Sequence, residues 1–476
     1  MMLVAGIDSS TQSTKVVLCQ TEDGIVVGEA SAPHPDGTEC PPSAWWEALS
    51  AAGRGLLERA DAVAVAAQQH GMVVVDEAGE VIRPAMLWND VKSAPQAAAL
   101  VSEFGGAMEW AKRTGSVPTM SFTVTKLRWL AENEPSNAAR VRRVLLPHDW
   151  LTWRLAGGGA GGPGGSGAPG ATAPAPTTDR GDASGTGYFD PATGSWLPDW
   201  AERALGHAVL LPRVAAPAEI VGHTTWGAAI APGTGDNMGA ALGLGLDEGD
   251  MAVSIGTSGT AYAVTSKPSA DVSGSVSGFA DATGRFLPLV ATVNAARVLA
   301  VTARMLGTDN SGLADLALAA KPGADGLTLL PYLDGERTPN RPNANGVLRG
   351  LTTGNATPEN LARAAVEAVL CSLADAIDHV TLVSGTVPRR IVLIGGAARS
   401  EAIRGLAPGV FGMPVTVPEP AEYVALGAAR QAAWALTESA ELPAWPRRPA
   451  QTFEAGPQPR VREQYAALRD DAAAWQ

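Results

Sequence analysis

Cysteine is scarce: Cys19, Cys40 and Cys371 are the only three, scattered and odd in number. They fit neither a disulfide framework nor a zinc site, which points to a reducing compartment. Positive charge is also short, with 35 Lys and Arg against 48 Asp and Glu, a net charge of −13 and no basic run. A nucleic-acid surface needs a clustered basic footprint, so none is expected. No uninterrupted apolar run approaches membrane-spanning length. The opening Met-Met-Leu-Val-Ala-Gly-Ile-Asp lacks the basic start of a signal peptide and goes straight into a strand pattern. A cytoplasmic protein without nucleic-acid or membrane partners is the expectation. The chain is nonetheless 46% apolar over 476 residues, enough for two domains with large cores.

The stretch 233–264 carries the first chemical signal. Gly-Thr-Gly-Asp-Asn (233–237) offers a lone carboxylate, Asp236, among glycines and short polar side chains. Residues 251–264 read as a strand, a Gly-Thr-Ser-Gly turn and a second strand, a hairpin with a polar tip. Backbone N–H groups in such a tip can converge on an anion. A carboxylate beside an anion-holding turn suggests phosphoryl transfer to a hydroxyl. Residues 2–34 repeat the pattern: strand Met2–Asp8, polar turn Ser9–Ser13, strand Thr14–Gln20, tight turn Glu22–Gly24 and strand Ile25–Ala32. Asp8 at the first tip has no acidic counterpart at the second, where Gly256 stands. Any β protein has polar hairpin tips, but two of this kind suggest duplicated domains facing each other across a cleft.

Between the tips, Pro42-Ser43 opens a helix reading over Ala44–Ala60. Asp61–Ala67 is a buried strand that stops at Gln68-Gln69-His70-Gly71, where α/β folds place ligand-contacting groups. His70 is therefore a candidate sugar contact, and equally an ordinary structural histidine. Trp88, Asn89 and Asp90 suit a polyol, and also a packed loop corner. Residues 92–135 read as helical with breaks at Gly105-Gly106 and Thr114–Pro118. The Gly/Ala/Pro/Ser run 157–176 reads as a flexible insertion loop. Asp182, in the polar loop after it, either faces the same cleft or caps a turn. Further on, Thr357–Val383 is a long helix with Pro358 in its first turn. Arg390–Ile394 is a strand entering Gly395-Gly396-Ala397 and then a helix, an arrangement that lets a ring or phosphate approach the backbone. An Ala-rich helix, 422–437, closes the second domain, and a Pro-containing tail ends in a charged helix, 459–475.

Two longer patterns sharpen this. Ser121, Thr123, Lys126, Leu127, Trp129, Leu130, Glu132 and Asn133 match the first signature of the FGGY carbohydrate kinases. Gly346, Leu348, Gly350, Leu351, Asn360, Leu361, Ala364, Ala365, Val366 and Glu367 match the second. The chain resembles that family, of the actin/hexokinase/Hsp70 superfamily, over nearly its full length. The resemblance implies an α/β fold of two ribonuclease-H-like domains flanking an active-site cleft. Residues 1–244 would bind sugar, 245–440 would bind nucleotide, and 441–476 would form a tail with the terminal helix. It implies ATP and Mg²⁺ as cofactors, a small sugar as substrate and, by family habit, a homodimer.

Carried over by position, the resemblance makes Asp236 the base that deprotonates a sugar hydroxyl. Asp8 would organise Mg²⁺ and the phosphates, through water. Ser10, Thr11, Gln12 and Lys15 would belong to the first phosphate loop and Gly256, Thr257 and Ser258 to the second. Gly395, Gly396 and Ala397 would line the adenosine pocket, and Gln69, His70, Trp88, Asp236 and Asn237 would hold the sugar. Within the family, Gln-His-Gly (69–71), Leu-Trp-Asn-Asp (87–90), Leu-Leu-Pro-His-Asp (145–149) and Leu-Pro-Tyr-Leu-Asp-Gly-Glu-Arg-Thr-Pro (330–339) are most similar to the xylulokinase branch. That branch implies phosphorylation of the terminal hydroxyl of D-xylulose; ribulose, gluconate, glycerol and arabitol are the alternative acceptors. Gln69 stands where methionine is common and Lys92 where arginine often follows Asn-Asp, both on the sugar side. A nucleotide-driven clamp without a sugar acceptor would need neither Asp236 nor Gln-His-Gly, and a sugar-responsive repressor would need a basic DNA-binding module that is not visible.

Overall fold

In a computed structural model, the described residues are 2–159 and 174–474. Most of the expected insertion loop at 157–176 thus lies outside the described residues. Two compact units emerge. The first comprises Met1–Leu246, Ser266–Leu287 and Ala421–Arg447, the second Asp247–Thr265, Pro288–Pro420 and Arg448–Gln476.

In the first unit, β1 (Leu3–Ser9), β2 (Ser13–Gln20) and β3 (Val26–Pro33) form the expected antiparallel meander. β4 (Ala62–Ala67) pairs parallel with the free side of β1. β5 (Gly222–His223), β6 (Ala229–Ile230) and β7 (Thr234–Gly235) extend the sheet, in the order β5–β6–β4–β1–β2–β3 with β7 also on β4. Strand side chains alternate between faces. Ala5, Ile7, Val63 and Val65 point into a core with Trp45 and Leu49 of the helix Pro42–Gly53. That helix stops short of the expected Ala60, because Gly55 turns the chain at φ +73°.

The opposite face is made of Val4, Ala62, Ala64 and Ala66, and it packs on Ala425, Ala428, Ala429 and Ala432 of the helix Tyr423–Thr437. Small residues let a helix backbone come very close to the sheet. A Cβ on Gly6 would overlap the Ala425 carbonyl. This helix was expected to close the second domain; its contacts instead put it in the first unit.

The second unit repeats the plan. β8 (Asp250–Ile255) and β9 (Gly259–Ala263) form the antiparallel hairpin, and β11 (Arg390–Ile394) lies parallel to β8, after β10 (Phe286–Thr292) beside β9. β12 (Val415–Pro418) and β13 (Ala450–Phe453) continue the sheet, so that six of its seven strands run β10–β9–β8–β11–β12–β13. Like β1, the central β8 has a hairpin mate on one side and a parallel strand on the other. The helix Pro358–Ser384 is capped as expected, Thr357 accepting from the Asn360 N–H, and it ends at Gly385 with φ +67°. The terminal helix runs Pro459–Ala472. Among the described residues no helix is long and apolar enough to cross a membrane.

Candidate active site

Parallel pairing decides where the polar groups of the first unit meet. Ser9 of β1 is level with Ala67 of β4, and Ala67 is level with Gly235 of β7. The three strands therefore end together, and the residues that follow them emerge at one edge of the sheet. That edge gathers Asp8, Gln69, His70, Asp236 and Asn237.

Asp236 is the first residue of the helix Asp236–Gly243, where the helix dipole favours a carboxylate. Its Oδ1 accepts from the Asn237 backbone N–H at 2.8 Å and from Asn237 Nδ2 at 2.9 Å. The same Nδ2 reaches Gln69 Oε1 at 3.3 Å. Burial, with the nearby carboxylates Asp8 and Asp182, pushes the Asp236 pKa up to about 7, against the opposing Asn237 N–H. Asp8 is 2% exposed, and burial raises its pKa to about 6, although the Ser10 hydroxyl and Lys15 favour its charge. Ser10 donates to Asp8 Oδ1, and Lys15 Nζ lies 3.9 Å from Asp8 Oδ2 and 2.6 Å from Glu422 Oε2. On the tip itself, Thr11 Oγ1 accepts from the Trp88 indole N–H at 2.8 Å, and Gln12 is exposed. The polar edge of Trp88 is thus committed to the first hairpin tip. A single carboxylate beside hydroxyls and turn N–H groups fits Mg²⁺, which keeps several waters and meets the protein largely through phosphates.

His70 is held under strain. Its backbone has φ +66°, rare for a side chain-bearing residue. The carbonyl accepts from Lys126 Nζ at 2.7 Å and Thr123 Oγ1 at 3.2 Å, and ring Nδ1 lies 2.6 Å from the Gly185 carbonyl. Phe122 and Phe279 flank the ring at centroid distances of 4.8 and 5.7 Å. Lys126 is itself fully buried, and burial pushes its pKa down to about 7. The sequence singled out Lys126 only as a signature residue. Its place beneath His70 could not be seen, because no local spacing links a helix residue to a strand end 56 positions away.

The polar loop after the insertion resolves as well. Asp179, not Asp182, caps the turn Arg180–Ala183. Asp182 instead bonds His148, and both are completely buried. A Pro-His-Asp sequence and a distant Gly-Asp carried no sign of this pairing.

In the second unit, the parallel register of Ser254 with Ile394 brings the second tip and the double glycine together. Gly256 N–H donates to the Ser258 carbonyl, which closes the tip, and Thr257 is exposed. Gly395 has φ +90°, and a Cβ there would sit 2.6 Å from the Ile255 carbonyl oxygen, so only glycine fits. Gly396 faces open space. A 3₁₀ turn, Gly396–Arg399, stands between the strand and the expected helix, which starts at Glu401.

Comparison with known proteins bears on both units. The model of the FGGY family of carbohydrate kinases, N-terminal domain, matches residues 3–245, and that of the C-terminal domain matches 251–436. The xylulose kinase of Streptomyces coelicolor is 46% identical over 451 residues, covering 91% of this chain and 88% of that protein. The crystal structure of xylulose kinase from Bifidobacterium adolescentis superposes with a TM-score of 0.90 at 46% identity, covering 98% of this chain and 99% of the other. Plasmodium falciparum glycerol kinase shares the fold, with a TM-score of 0.86 at 18% identity over 100% of this chain and 98% of its own. With a carboxylate at one sheet edge, a glycine-framed tip in a second unit of the same plan, and both domain models matched in order, the chain belongs to the FGGY family of carbohydrate kinases.

Proposed function

We propose that this kinase transfers the terminal phosphoryl group of Mg-ATP to the terminal hydroxyl of D-xylulose, giving D-xylulose 5-phosphate. The observation that carries the chemistry is Asp236. It is a partly buried carboxylate at a helix start, with a pKa pushed to about 7 and Gln69, His70 and Asn237 around it. A general base works best with a pKa near the working pH. Asp236 takes the proton of the sugar hydroxyl, while Gln69, His70 and Asn237 hold the ketose and Trp88 offers it an apolar face. Ser10, Thr11, Gln12 and Lys15 orient the phosphates from the first tip and Gly256, Thr257 and Ser258 from the second. Gly395, Gly396 and Ala397 leave room for adenosine. Asp8 would hold Mg²⁺ through water, and the ion would neutralise charge on the phosphates; positioning and charge neutralisation dominate such transfers. The choice of sugar is supported by the name and 46% identity of the Streptomyces coelicolor relative. All three cysteines are buried and none is in a disulfide, in keeping with a reducing cytoplasm. A homodimer is part of the same proposal, tested by sedimentation.

An ADP-release assay over a ketose and polyol panel tests the substrate. D-xylulose is expected to be preferred; preference for glycerol or gluconate overturns that step. Asp236→Ala should lower turnover by about 10²–10⁴-fold while ATP still binds. Unchanged sugar-dependent ADP formation would refute the role of the base.

A further inference from the structure

We propose that Asp182, fixed by the buried His148, is a positioning residue for the transfer: its carboxylate supplies a second negative charge beside the Asp236 loop and keeps that base ready to accept a proton. The inference rests on Asp236 being the base.

The argument begins with packing. The turn Arg180–Ala183 is wedged between the two sugar-side elements. A Cβ at Gly181 would lie 3.0 Å from Thr234 Oγ1 and 3.0 Å from Met238 Cγ, the residues flanking Asp236 on either side. Asp179 Oδ2 accepts from Thr234 Oγ1 at 2.8 Å, tying the turn to β7. Just beyond the turn, the Gly185 carbonyl holds the His70 ring at 2.6 Å. One short segment therefore touches the supports of both Asp236 and His70.

Burial raises the Asp182 pKa to about 6, and His148 opposes that rise, so that Asp182 is ionised above about pH 6. His148 Nδ1 lies 2.6 Å from Asp182 Oδ2, with Nε2 at 3.3 Å from Asp149 Oδ1 and 3.9 Å from Asp179 Oδ1. The imidazole packs on the Asp236 loop itself, since a Cβ at Gly233 would sit 2.8 Å from His148 Cδ2. Three carboxylates around one ring favour the imidazolium, and an imidazolium favours an ionised Asp182. Asp182 Oδ1 is buried without a protein hydrogen-bond partner.

The charged groups acting on Asp236 are Asp8 from β1 and Asp182 from this turn; Asp8 in turn faces Lys15 and Glu422. In the proposed reaction Asp8 would face Mg-ATP, whose cation would offset its charge. Asp182 is fully buried and stays out of reach of Mg-ATP. It is the acid whose influence on Asp236 survives substrate binding.

The test is the pH dependence of kcat/KM for D-xylulose at saturating Mg-ATP, for the wild type and for Asp182→Asn, Asp182→Ser and Asp182→Glu. Removing a buried charge beside the Asp236 loop should move the acidic limb of the neutral variants down by about one pH unit. Their rate at pH 8 should fall several-fold, as a weaker base removes the proton. Asp182→Glu keeps the charge and should keep the wild-type limb. A uniform loss of rate with an unmoved limb in the neutral variants overturns the proposal, and so does failure of both neutral variants to fold. Asp236→Asn separates the two readings. If it retains wild-type activity, the base assignment fails. If it is inactive while the Asp182 variants leave the limb in place, only the present inference fails.

Discussion

Gly427→Ala is a small change far along the chain from Asp236, yet it should reach that proposed base. The helix Tyr423–Thr437 lies against the helix Asp236–Gly243, and three glycines face one another there. A Cβ on Gly427 would overlap the Gly239 carbonyl oxygen and come within 2.7 Å of its carbon and 2.9 Å of the Gly243 nitrogen. All of these are backbone atoms, so no side chain can rotate aside. Alanine in place of a helical glycine gains about 1 kcal/mol of propensity. Overpacking costs about 1–3 kcal/mol, and backbone neighbours favour the upper end or beyond. The clash should win by about 2 kcal/mol, lowering Tm by roughly 4–8 °C for a large domain. Relief of the clash shifts the Asp236 helix, and misplacement of a catalytic group by about 1 Å costs on the order of 10²-fold in rate. Melting followed by circular dichroism, with kcat measured on the same samples, tests both parts. Gly456→Ala, with no atom near its new Cβ, is the control and should change neither. A Gly427→Ala protein that melts with the wild type and turns over normally would refute the argument that this close helix contact positions Asp236.

Three further outcomes follow from the geometry. Because burial and neighbouring acids raise the Asp236 pKa to about 7, the proposed base is charged above that pH and protonated below it. At pH 6 only about a tenth remains ionised, so kcat/KM should fall about tenfold per unit into acid; a profile flat from pH 8 to 5.5 contradicts this. Gly395→Ala forces a side chain into φ +90° against the Ile255 carbonyl; strain of about 1–3 kcal/mol should raise KM for ATP about tenfold or more and spare KM for the sugar. Lys126→Met removes the donor to the His70 and Ser121 carbonyls. Loss of hydrogen bonds worth about 1–3 kcal/mol should raise KM for D-xylulose about tenfold with KM for ATP unchanged, and equal sugar KM values would argue against a role for Lys126 in holding His70.

Local order was legible throughout. The meander at 3–33, the hairpin tips after Asp8 and Ile255, the polar residues just past β4 and the capped helix after Thr357 all follow from periodicity and turn chemistry that span a few residues. The helix over 44–60 was read too long because its apolar spacing continues past Gly53, while the left-handed turn at Gly55 depends on the backbone. The assignment of the 422–437 helix to the second domain followed chain order, and alanine content says that something packs closely without saying what.

For the stretch 233–264, the sequence by itself determined two chemical parts: a carboxylate within Gly-Asp-Asn and a glycine-framed tip between strands. Residue type and short-range spacing suffice for that, since both are written within a few positions. Tertiary structure alone decided the company Asp236 keeps. Asp8, Gln69, Asp182 and Gly427 of a helix near the C-terminus reach its surroundings across separations of up to 228 residues, through parallel strand register and helix packing. The burial and the neighbouring charges that raise its pKa come from those long-range contacts, which no local pattern encodes.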